Sequence, residues 1–210
     1  MRYASIRSMD VTNGENLGVS LFVQGCPFKC FNCFNPETWD FNGGKEWTEE
    51  TKKEFLELID RPYIKRISLL GGECLAEENL DGILDLVTTI REKYPISQNV
   101  NLANPYKIGV SEDENSNEIR LSLPKKTIWI YSGFTWEEIM YPHLESPFDL
   151  QKSQTLEKRK NILLKCDVFT DGRYIDSQRD ITLPWRGSLN QRVISVQESL
   201  KQGDVILHCN

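Results

Sequence analysis

The sequence lacks any apolar run close to the roughly 20 residues that a transmembrane helix needs. Its first seven residues also lack the apolar core of a secretory signal peptide. The sequence has 25 basic and 31 acidic residues, which gives a net charge of −6. A negatively charged surface repels the phosphate groups of nucleic acids. We therefore expect a cytoplasmic protein that contacts neither membranes nor nucleic acid.

Histidine is scarce, because the 210 residues include only His143 and His208, which lie far apart in the sequence. Each is isolated from the other and from the cysteine cluster, so we expect both to be structural or surface residues. The composition, with 39% hydrophobic and 27% charged residues, is typical of a folded chain rather than a disordered one. The length suits one globular unit, and we predict a single domain over 1–210.

The six cysteines are unevenly distributed, since three of them lie within eight residues. Cys26, Cys30 and Cys33 have the spacing Cys-x3-Cys-x2-Cys. Three thiolates on so short a loop can hold three corners of a four-iron cluster, which normally has four cysteine ligands. Without a local fourth cysteine, one iron would be free to bind another ligand. We predict that this loop holds an iron–sulfur cluster.

Two alternatives to a cluster remain open from spacing alone. One is a zinc site, which would recruit a fourth ligand from the scattered cysteines. These are Cys74, Cys166 and Cys209. The other is a thiol redox pair, although such a pair needs only two cysteines.

The hydrophobic pattern alternates between strand and helix. It predicts strands over 18–24, 64–70, 127–131 and 164–169. It predicts helices over 48–59, 77–93, 135–140 and 154–162. This alternation is typical of βαβ units and indicates an α/β fold with parallel strands. Because ligands bind beyond the carboxyl ends of such strands, we expect the cysteine loop, 71–73 and 132–134 to converge there.

Residues 97–124 interrupt this alternation with an unusually long connection. Two β-like runs, 106–110 and 119–123, flank the acidic stretch 111–118. The pattern predicts an inserted hairpin with a solvated tip, or a mobile loop. The alternative is an element that docks a partner.

Several segments together resemble a known protein family. The cysteine spacing after a first strand is similar to the defining motif of the radical S-adenosylmethionine superfamily. The wider sequence resembles the activating proteins of anaerobic (class III) ribonucleotide reductases. The segments that carry this resemblance are 25–30, 33–39, 69–73, 129–136, 171–174 and 183–192. They cover most of the chain in order, apart from 97–124 and the final residues.

The resemblance implies two cofactors and the residues that bind them. Cys26, Cys30 and Cys33 would bind a [4Fe–4S] cluster, whose fourth iron is chelated by the methionine part of S-adenosyl-L-methionine. Further contacts to S-adenosylmethionine are implied by position in the motifs. They are Gly71, Gly72 and Glu73 at the methionine amino group, and Asn32, Cys33 and Phe34 beside the adenine.

Some positions depart from the family pattern or remain open. Many superfamily members have an aromatic residue where this chain has Asn32, so the ring stacked on adenine would come from elsewhere, with Phe34 as one candidate. Cys74 replaces the usual proline, and we expect a small, partly buried side chain rather than a cluster ligand. Ser132 and Asp171 either line the cofactor pocket or cap loops and turns.

The resemblance also implies an activity. One electron delivered to the cluster would cleave S-adenosylmethionine into methionine and a 5′-deoxyadenosyl radical, which takes hydrogen from a glycine of the reductase. No catalytic side chain beyond the cluster and cofactor is implied, and the electron donor would be a flavodoxin-like or ferredoxin-like protein. The alternatives are an activase of another glycyl-radical enzyme, of formate-lyase type, and a non-catalytic zinc-binding adaptor.

Chain length limits the expected architecture. A complete eight-unit (β/α) barrel typically takes about 250 residues. A chain of 210 residues with an insertion therefore predicts an incomplete TIM-like (β/α)6 barrel with parallel strands and an open side. An open side would let a segment of the reductase reach the cofactor.

Overall fold

The computed structural model describes residues 1–96, 125–142 and 150–209. The expected insertion at 97–124 and His143 lie outside these ranges. Within them, no helix has the length and apolarity needed to span a membrane.

A single mixed sheet forms the centre of the described structure. Its eight strands are β1 (Arg2–Asp10), β2 (Gly18–Val23), β3 (Lys45–Glu46), β4 (Arg66–Gly71), β5 (Thr127–Tyr131), β6 (Val168–Asp171), β7 (Arg192–Ser195) and β8 (Leu207–Cys209). They are ordered β3-β1-β2-β4-β5-β6-β7-β8. The central strands β2, β4, β5 and β6 are parallel, and those on both flanks pair antiparallel. The predicted α/β class with parallel strands is confirmed.

Five α-helices accompany the sheet in the described ranges. They are α1 (Glu49–Asp60), α2 (Glu77–Lys93), α3 (Trp136–Met140), α4 (Leu150–Leu164) and α5 (Val196–Gln202). Helix α1 begins where the Thr48 side chain accepts a hydrogen bond from the backbone N–H of Thr51. Helix α3 begins with a capping box, in which Thr135 and Glu138 each accept from the other's backbone N–H.

The main hydrophobic core lies between one face of the sheet and the helices. Alternate residues of the parallel strands point into it, as the two-residue period of a strand requires. The strand contribution includes Val19, Leu21, Ile67, Leu69, Ile128, Ile130 and Phe169. The helix contribution includes Phe55, Ile59, Leu80, Ile83, Leu86, Val87 and Ile162. Burial of these two sets fixes the parallel strands and brings their carboxyl ends to one edge.

A buried ion pair joins β1 to β4 on the other side of the sheet. Arg66 Nη2 lies 3.0 Å from Asp10 Oδ1, and both residues are almost fully buried. Burial alone would raise the pKa of Asp10, but hydrogen bonds from Asn13, Ser20 and Thr12 outweigh it and hold that pKa far below its ordinary value. The pair and its hydrogen bonds fix the connection between β1 and β2.

The structure corrects the predicted fold in two places. The strand expected over 164–169 begins only at Val168, because the apolar pair Ile162 and Leu163 faces the core from α4. Cys166, expected in that strand, therefore lies in the turn before it. Six parallel strands were also expected, and four are present in the ranges described. The flanking strands are antiparallel and short or half-exposed, so their hydrophobic pattern is weak.

Candidate metal centre

The cysteine loop leaves β2 and is held at the edge of the sheet by backbone hydrogen bonds. Gly25 N donates to Thr38 O at 2.8 Å, and Cys26 N donates to Trp39 O at 3.1 Å, which closes the loop on itself. Glu73 N donates to Gly25 O at 2.8 Å, which ties the same loop to the end of β4. The first cysteine is therefore placed at the carboxyl ends of two neighbouring parallel strands.

Two glycines allow these loops to approach each other. A Cβ atom on Gly72 would lie 2.4 Å from Gly25 O, a backbone atom that cannot move aside easily. A Cβ atom on Gly133 would lie 2.4 Å from the ring of Phe28, which stands between the first two cysteines. Both contacts require glycine, because any larger residue would push the cysteine loop away from the strand ends.

Two tight turns present the second and third cysteines. Lys29 and Asn32 have positive φ angles of 45° and 54°, and each immediately precedes a cysteine. Cys33 N donates to Cys30 O at 3.1 Å, and Asn35 N donates to the sulfur of Cys33 at 3.4 Å. Because non-glycine residues rarely adopt positive φ, this backbone is strained in a way that is common at functional sites.

Backbone N–H groups also point at the other two sulfurs. Burial raises the pKa of the Cys26 thiol, and hydrogen bonds from the backbone of Phe28 and Lys29 offset part of that rise. Burial likewise raises the pKa of the Cys30 thiol, against a hydrogen bond from the backbone of Tyr174. Such hydrogen bonds stabilise thiolates and tune the potential of iron–sulfur clusters.

The donor set fits the predicted cluster. All three cysteines are free and half-exposed. Soft thiolates are the preferred ligands of iron–sulfur clusters. Across the described ranges, no three His, Cys, Asp or Glu side chains form a group that could hold one metal ion. By their spacing on one loop, Cys26, Cys30 and Cys33 are the residues whose thiolates could hold three irons of a cluster.

The remaining cysteines lie elsewhere. Cys74 is fully buried in the main core, more completely than the partly buried side chain that was expected. Cys166 is also fully buried, and its thiol donates to Ile162 O at 3.3 Å. Cys209 lies in β8 and packs against the second, smaller core around Trp129.

Glu73 is a buried acidic residue at this edge. Its carboxylate accepts hydrogen bonds from Leu75 N (2.8 Å), Ser132 Oγ (2.8 Å) and Gly133 N (2.7 Å). Complete burial raises its pKa, and these three hydrogen bonds oppose the rise. The carboxylate therefore joins the end of β4 to the loop after β5, and these two loops converge as predicted.

Ser132 and Asp171 both cap loops. Ser132 Oγ accepts from Phe134 N at 3.0 Å while it donates to Glu73. Asp171 Oδ2 accepts from Trp136 N at 2.9 Å and pairs with Arg192 at 2.5 Å. The capping alternative thus describes the contacts that both side chains make.

A stack of rings and guanidinium groups, which sequence reasoning missed, covers one side of the cysteine loop. Arg173 Cζ lies 4.4 Å from the ring centroid of Phe28, and that ring meets Phe134 edge-on at 4.9 Å. Arg159 Cζ lies 4.0 Å from the centroid of Phe134. The only sequence signal was the position of Phe28, Phe134 and Arg173 within motifs at loop ends.

Two of the three residues expected beside the adenine contact the loop that follows β6. Asn32 Nδ2 donates to Asp176 Oδ2 at 3.1 Å. The ring of Phe34 is 55% exposed and lies 5.1 Å from that of Tyr174, at an interplanar angle of 61°. A flat face of Phe34 is covered in part by Arg179, whose Cζ lies 5.4 Å from the ring centroid. The adenine contact itself stays a prediction.

Comparison with known proteins identifies the family of this chain. A family profile described as "4Fe-4S single cluster domain" matches residues 12–121 and 116–194. The chain is 28% identical to an anaerobic ribonucleoside-triphosphate reductase-activating protein of Vibrio cholerae over 91% of its length and 96% of the relative. A protein of the same name from Enterobacteria phage T4 is 28% identical over 97% of this chain and 100% of its own length. Another from Escherichia coli is 27% identical over 92% of this chain and 97% of its own length. The chain therefore belongs to the 4Fe-4S single cluster domain family, and the predicted resemblance to anaerobic reductase-activating proteins is confirmed.

Proposed function

We propose that this protein activates an anaerobic ribonucleoside-triphosphate reductase. The relatives that match it over nearly their whole length carry that activity in their names. The observation that carries the proposal is the cysteine loop held against Gly71, Gly72 and Glu73 at the carboxyl ends of the parallel strands. That edge is where an α/β sheet binds its ligands.

The proposed chemistry depends on two bound groups. When present, a [4Fe–4S] cluster and S-adenosyl-L-methionine supply one-electron cleavage of the cofactor, which leads to hydrogen abstraction and a glycyl radical in the reductase. In this proposal the protein is a radical S-adenosylmethionine activase, which is a type of oxidoreductase. Its own residues bind, orient and shield the two groups.

Each part of the site has a role in that proposal. Cys26, Cys30 and Cys33 hold three irons, and their N–H partners stabilise the thiolate form. Gly71 and Gly72 give the cofactor's methionine group access to the backbone. Glu73 supplies negative charge beneath the cofactor's ammonium group.

Two further parts of the proposed site are the residues beside the adenine of the cofactor and an apolar wall that excludes water. Asn32, Cys33 and Phe34 border the adenine, and the Phe34 ring can turn one face toward it because much of that ring is exposed. The contact between Phe28 and Phe134 places apolar surface beside the first cysteine. Apolar walls of this kind keep water from a reactive intermediate.

Cluster content is the first test. Protein purified without oxygen is expected to be brown and to carry about four irons and four sulfides, the content of one [4Fe–4S] cluster. Cys30→Ala should lose most of the iron, whereas Cys74→Ala should retain it, because Cys74 belongs to the core. One zinc per chain without colour, or full iron in Cys30→Ala, would contradict the proposal.

The reaction is the second test. Anaerobic mixing with the reductase, S-adenosylmethionine and a reductant is expected to give a glycyl-radical doublet in electron paramagnetic resonance. The same mixture with a formate-lyase type protein as acceptor is the control. A doublet only with that control would show that the acceptor is misassigned and the activase chemistry is right.

The proposal also includes the shape of the sheet and the cellular location of the protein. We propose that the sheet curves into an incomplete barrel, open between β3 and β8 at the two ends of the strand order. A site made of three free cysteines suits the reducing cytoplasm, where thiols stay reduced. Crystallography of the cluster-loaded protein would measure the curvature and the opening.

A further inference from the structure

The long connection between β6 and β7 is folded so that its last residues hold its first residues in place. Two amide side chains just before and at the end of this connection bind the backbone of 172–175. Gln191 Nε2 donates to Gly172 O at 2.8 Å. Asn190 Nδ2 donates to Arg173 O, also at 2.8 Å. Two consecutive carbonyl groups of 172–175 are therefore fixed from the same side.

A buried serine completes this set of contacts. Ser188 is fully buried, and its Oγ accepts from Ile175 N at 3.2 Å. The same hydroxyl donates to Asn190 Oδ1 at 2.7 Å, and Ser188 N donates to Gln191 Oε1 at 3.2 Å. The three side chains are thus joined to one another as well as to 172–175. We call this set the tail clamp, and it consists of Ser188, Asn190 and Gln191.

The backbone that the tail clamp holds lies against the cysteine loop. The N–H group of Tyr174 points at the sulfur of Cys30. The ring of Tyr174 lies 5.1 Å from that of Phe34, and Arg173 Cζ lies 4.4 Å from the ring centroid of Phe28. An N–H dipole and a guanidinium charge are therefore placed beside the ligands of the proposed cluster.

We propose that the tail clamp is a positioning device that raises the reduction potential of the cluster by holding 172–175 against the cysteine loop. This inference rests on the proposed function, in which the cluster takes up one electron. That electron makes the cluster more negative, so nearby N–H groups and cations stabilise its reduced form more than its oxidised form. In this step no bond forms or breaks and no proton moves.

The alternative is that the tail clamp contributes to stability alone. A hydrogen bond weakens steeply as its donor moves away or turns from its acceptor. Loss of one clamp contact would free the backbone beside Tyr174, and the N–H group would no longer be aimed at Cys30. The potential of the cluster would then fall, whereas a purely structural contact would change only the free energy of unfolding.

The test is a potentiometric titration of the cluster-loaded protein with dithionite, followed by electron paramagnetic resonance of the reduced cluster. Each cluster gains one electron from the dithionite, which is oxidised. Ser188→Ala is expected to lower the ratio of reduced to oxidised cluster at a fixed potential by about threefold to tenfold, and tenfold is about 59 mV for one electron. Asn190→Ala, at an exposed position, should shift the potential in the same direction.

Ser199 of α5 provides a matched control. It is also a buried serine, and its hydroxyl accepts a hydrogen bond from Ile206 N at 2.9 Å. Ser199→Ala should lose a similar free energy of unfolding in urea but keep the potential of the unmodified protein. Equal shifts in Ser188→Ala and Ser199→Ala would overturn the proposal. Unchanged potentials in Ser188→Ala and Asn190→Ala would overturn it as well.

Iron and sulfide are measured before the titration. An unmodified protein without a four-iron cluster would overturn the proposed function, whereas unchanged potentials in variants with a full cluster overturn only the role of the tail clamp. If Ser188→Ala fails to hold iron, the potential of Asn190→Ala decides the outcome by itself.

Discussion

The carboxylate of Glu73 shows how a single residue can organise this site. It is 1% exposed, yet each of its oxygens accepts at least one hydrogen bond, from groups that belong to two different loops. A buried charge is costly unless it is hydrogen-bonded in this way. Glu73 therefore fixes the position of Gly133, and through it the ring of Phe28 on the cysteine loop.

Glu73→Gln is expected to lower the free energy of unfolding by about 2–3 kcal/mol. The amide would lose the negative charge and turn an N–H group toward one of the three donors. Urea unfolding under anaerobic conditions measures the change. Glu78→Gln, at an exposed position in the first turn of α2, is the control and should change stability by less than about 0.5 kcal/mol. Equal stability of the two variants would contradict the role of Glu73.

Gly133→Ala is expected to reduce iron incorporation several-fold. The new Cβ would lie 2.4 Å from the ring of Phe28 and displace it, and with it the loop between Cys26 and Cys30. Iron analysis after anaerobic reconstitution gives the measurement. The second change Phe28→Leu should restore part of the iron, because the smaller side chain leaves room for the methyl group.

A matched control for this prediction is available on a helix. Gly82→Ala on α2 would place its Cβ against the flexible side chain of Met1, so full iron is expected. If Gly133→Ala also retained full iron, the close contact with Phe28 would be irrelevant to the cluster.

At the scale of elements, β1 and β4 depend on the buried pair of Asp10 and Arg66. Asp10→Ala is expected to cost about 3–5 kcal/mol, because it leaves a buried guanidinium without its partner. The double variant Asp10→Ala with Arg66→Met should be less destabilised than the sum of Asp10→Ala and Arg66→Met. Chemical unfolding of all four proteins completes the cycle. Additive losses would show that the two side chains act independently.

The hydrogen-bonded carboxylate of Asp10 makes part of the stability dependent on pH. The pKa of Asp10 in the folded protein lies well below the ordinary value of about 3.9, so folding favours the ionised form. The stabilisation from ionised Asp10 is complete at pH values above about 3.9, the ordinary aspartate pKa. It is lost as the pH falls from there toward the lower pKa of Asp10 in the folded protein. The free energy of unfolding should therefore decline with acid below about pH 4, and less steeply in Asp10→Asn. A parallel decline in both proteins would assign the effect to other carboxyl groups.

For the whole molecule, the continuous eight-stranded sheet is consistent with one cooperative unit. All strands of the described ranges hydrogen-bond to a neighbour, and the main core draws residues from both ends of the chain. We expect a single unfolding transition with equal calorimetric and van't Hoff enthalpies. Two separate transitions in scanning calorimetry would contradict the prediction of a single domain.

The sequence by itself determined the cysteine spacing, the parallel strands and the limits of α1 and α2. These features are local, since thiol spacing, the two-residue period of strands and the capping residue Thr48 are all readable from neighbouring residues. The family resemblance was local in the same sense, because it consists of short motifs in order. The class of fold and the cluster loop could therefore be predicted.

Only the tertiary structure decided which distant groups meet. Two donors from the loop after β5 reach Glu73, Arg66 is buried against Asp10, and Arg173 covers Phe28, yet the partners in these contacts lie 56 to 145 residues apart. The short antiparallel strands depend equally on their neighbours, because β7 pairs with β6 and β8 pairs with β7. Such contacts leave no periodic signal, because their free energy comes from burial and charge pairing that exist only once the chain has folded.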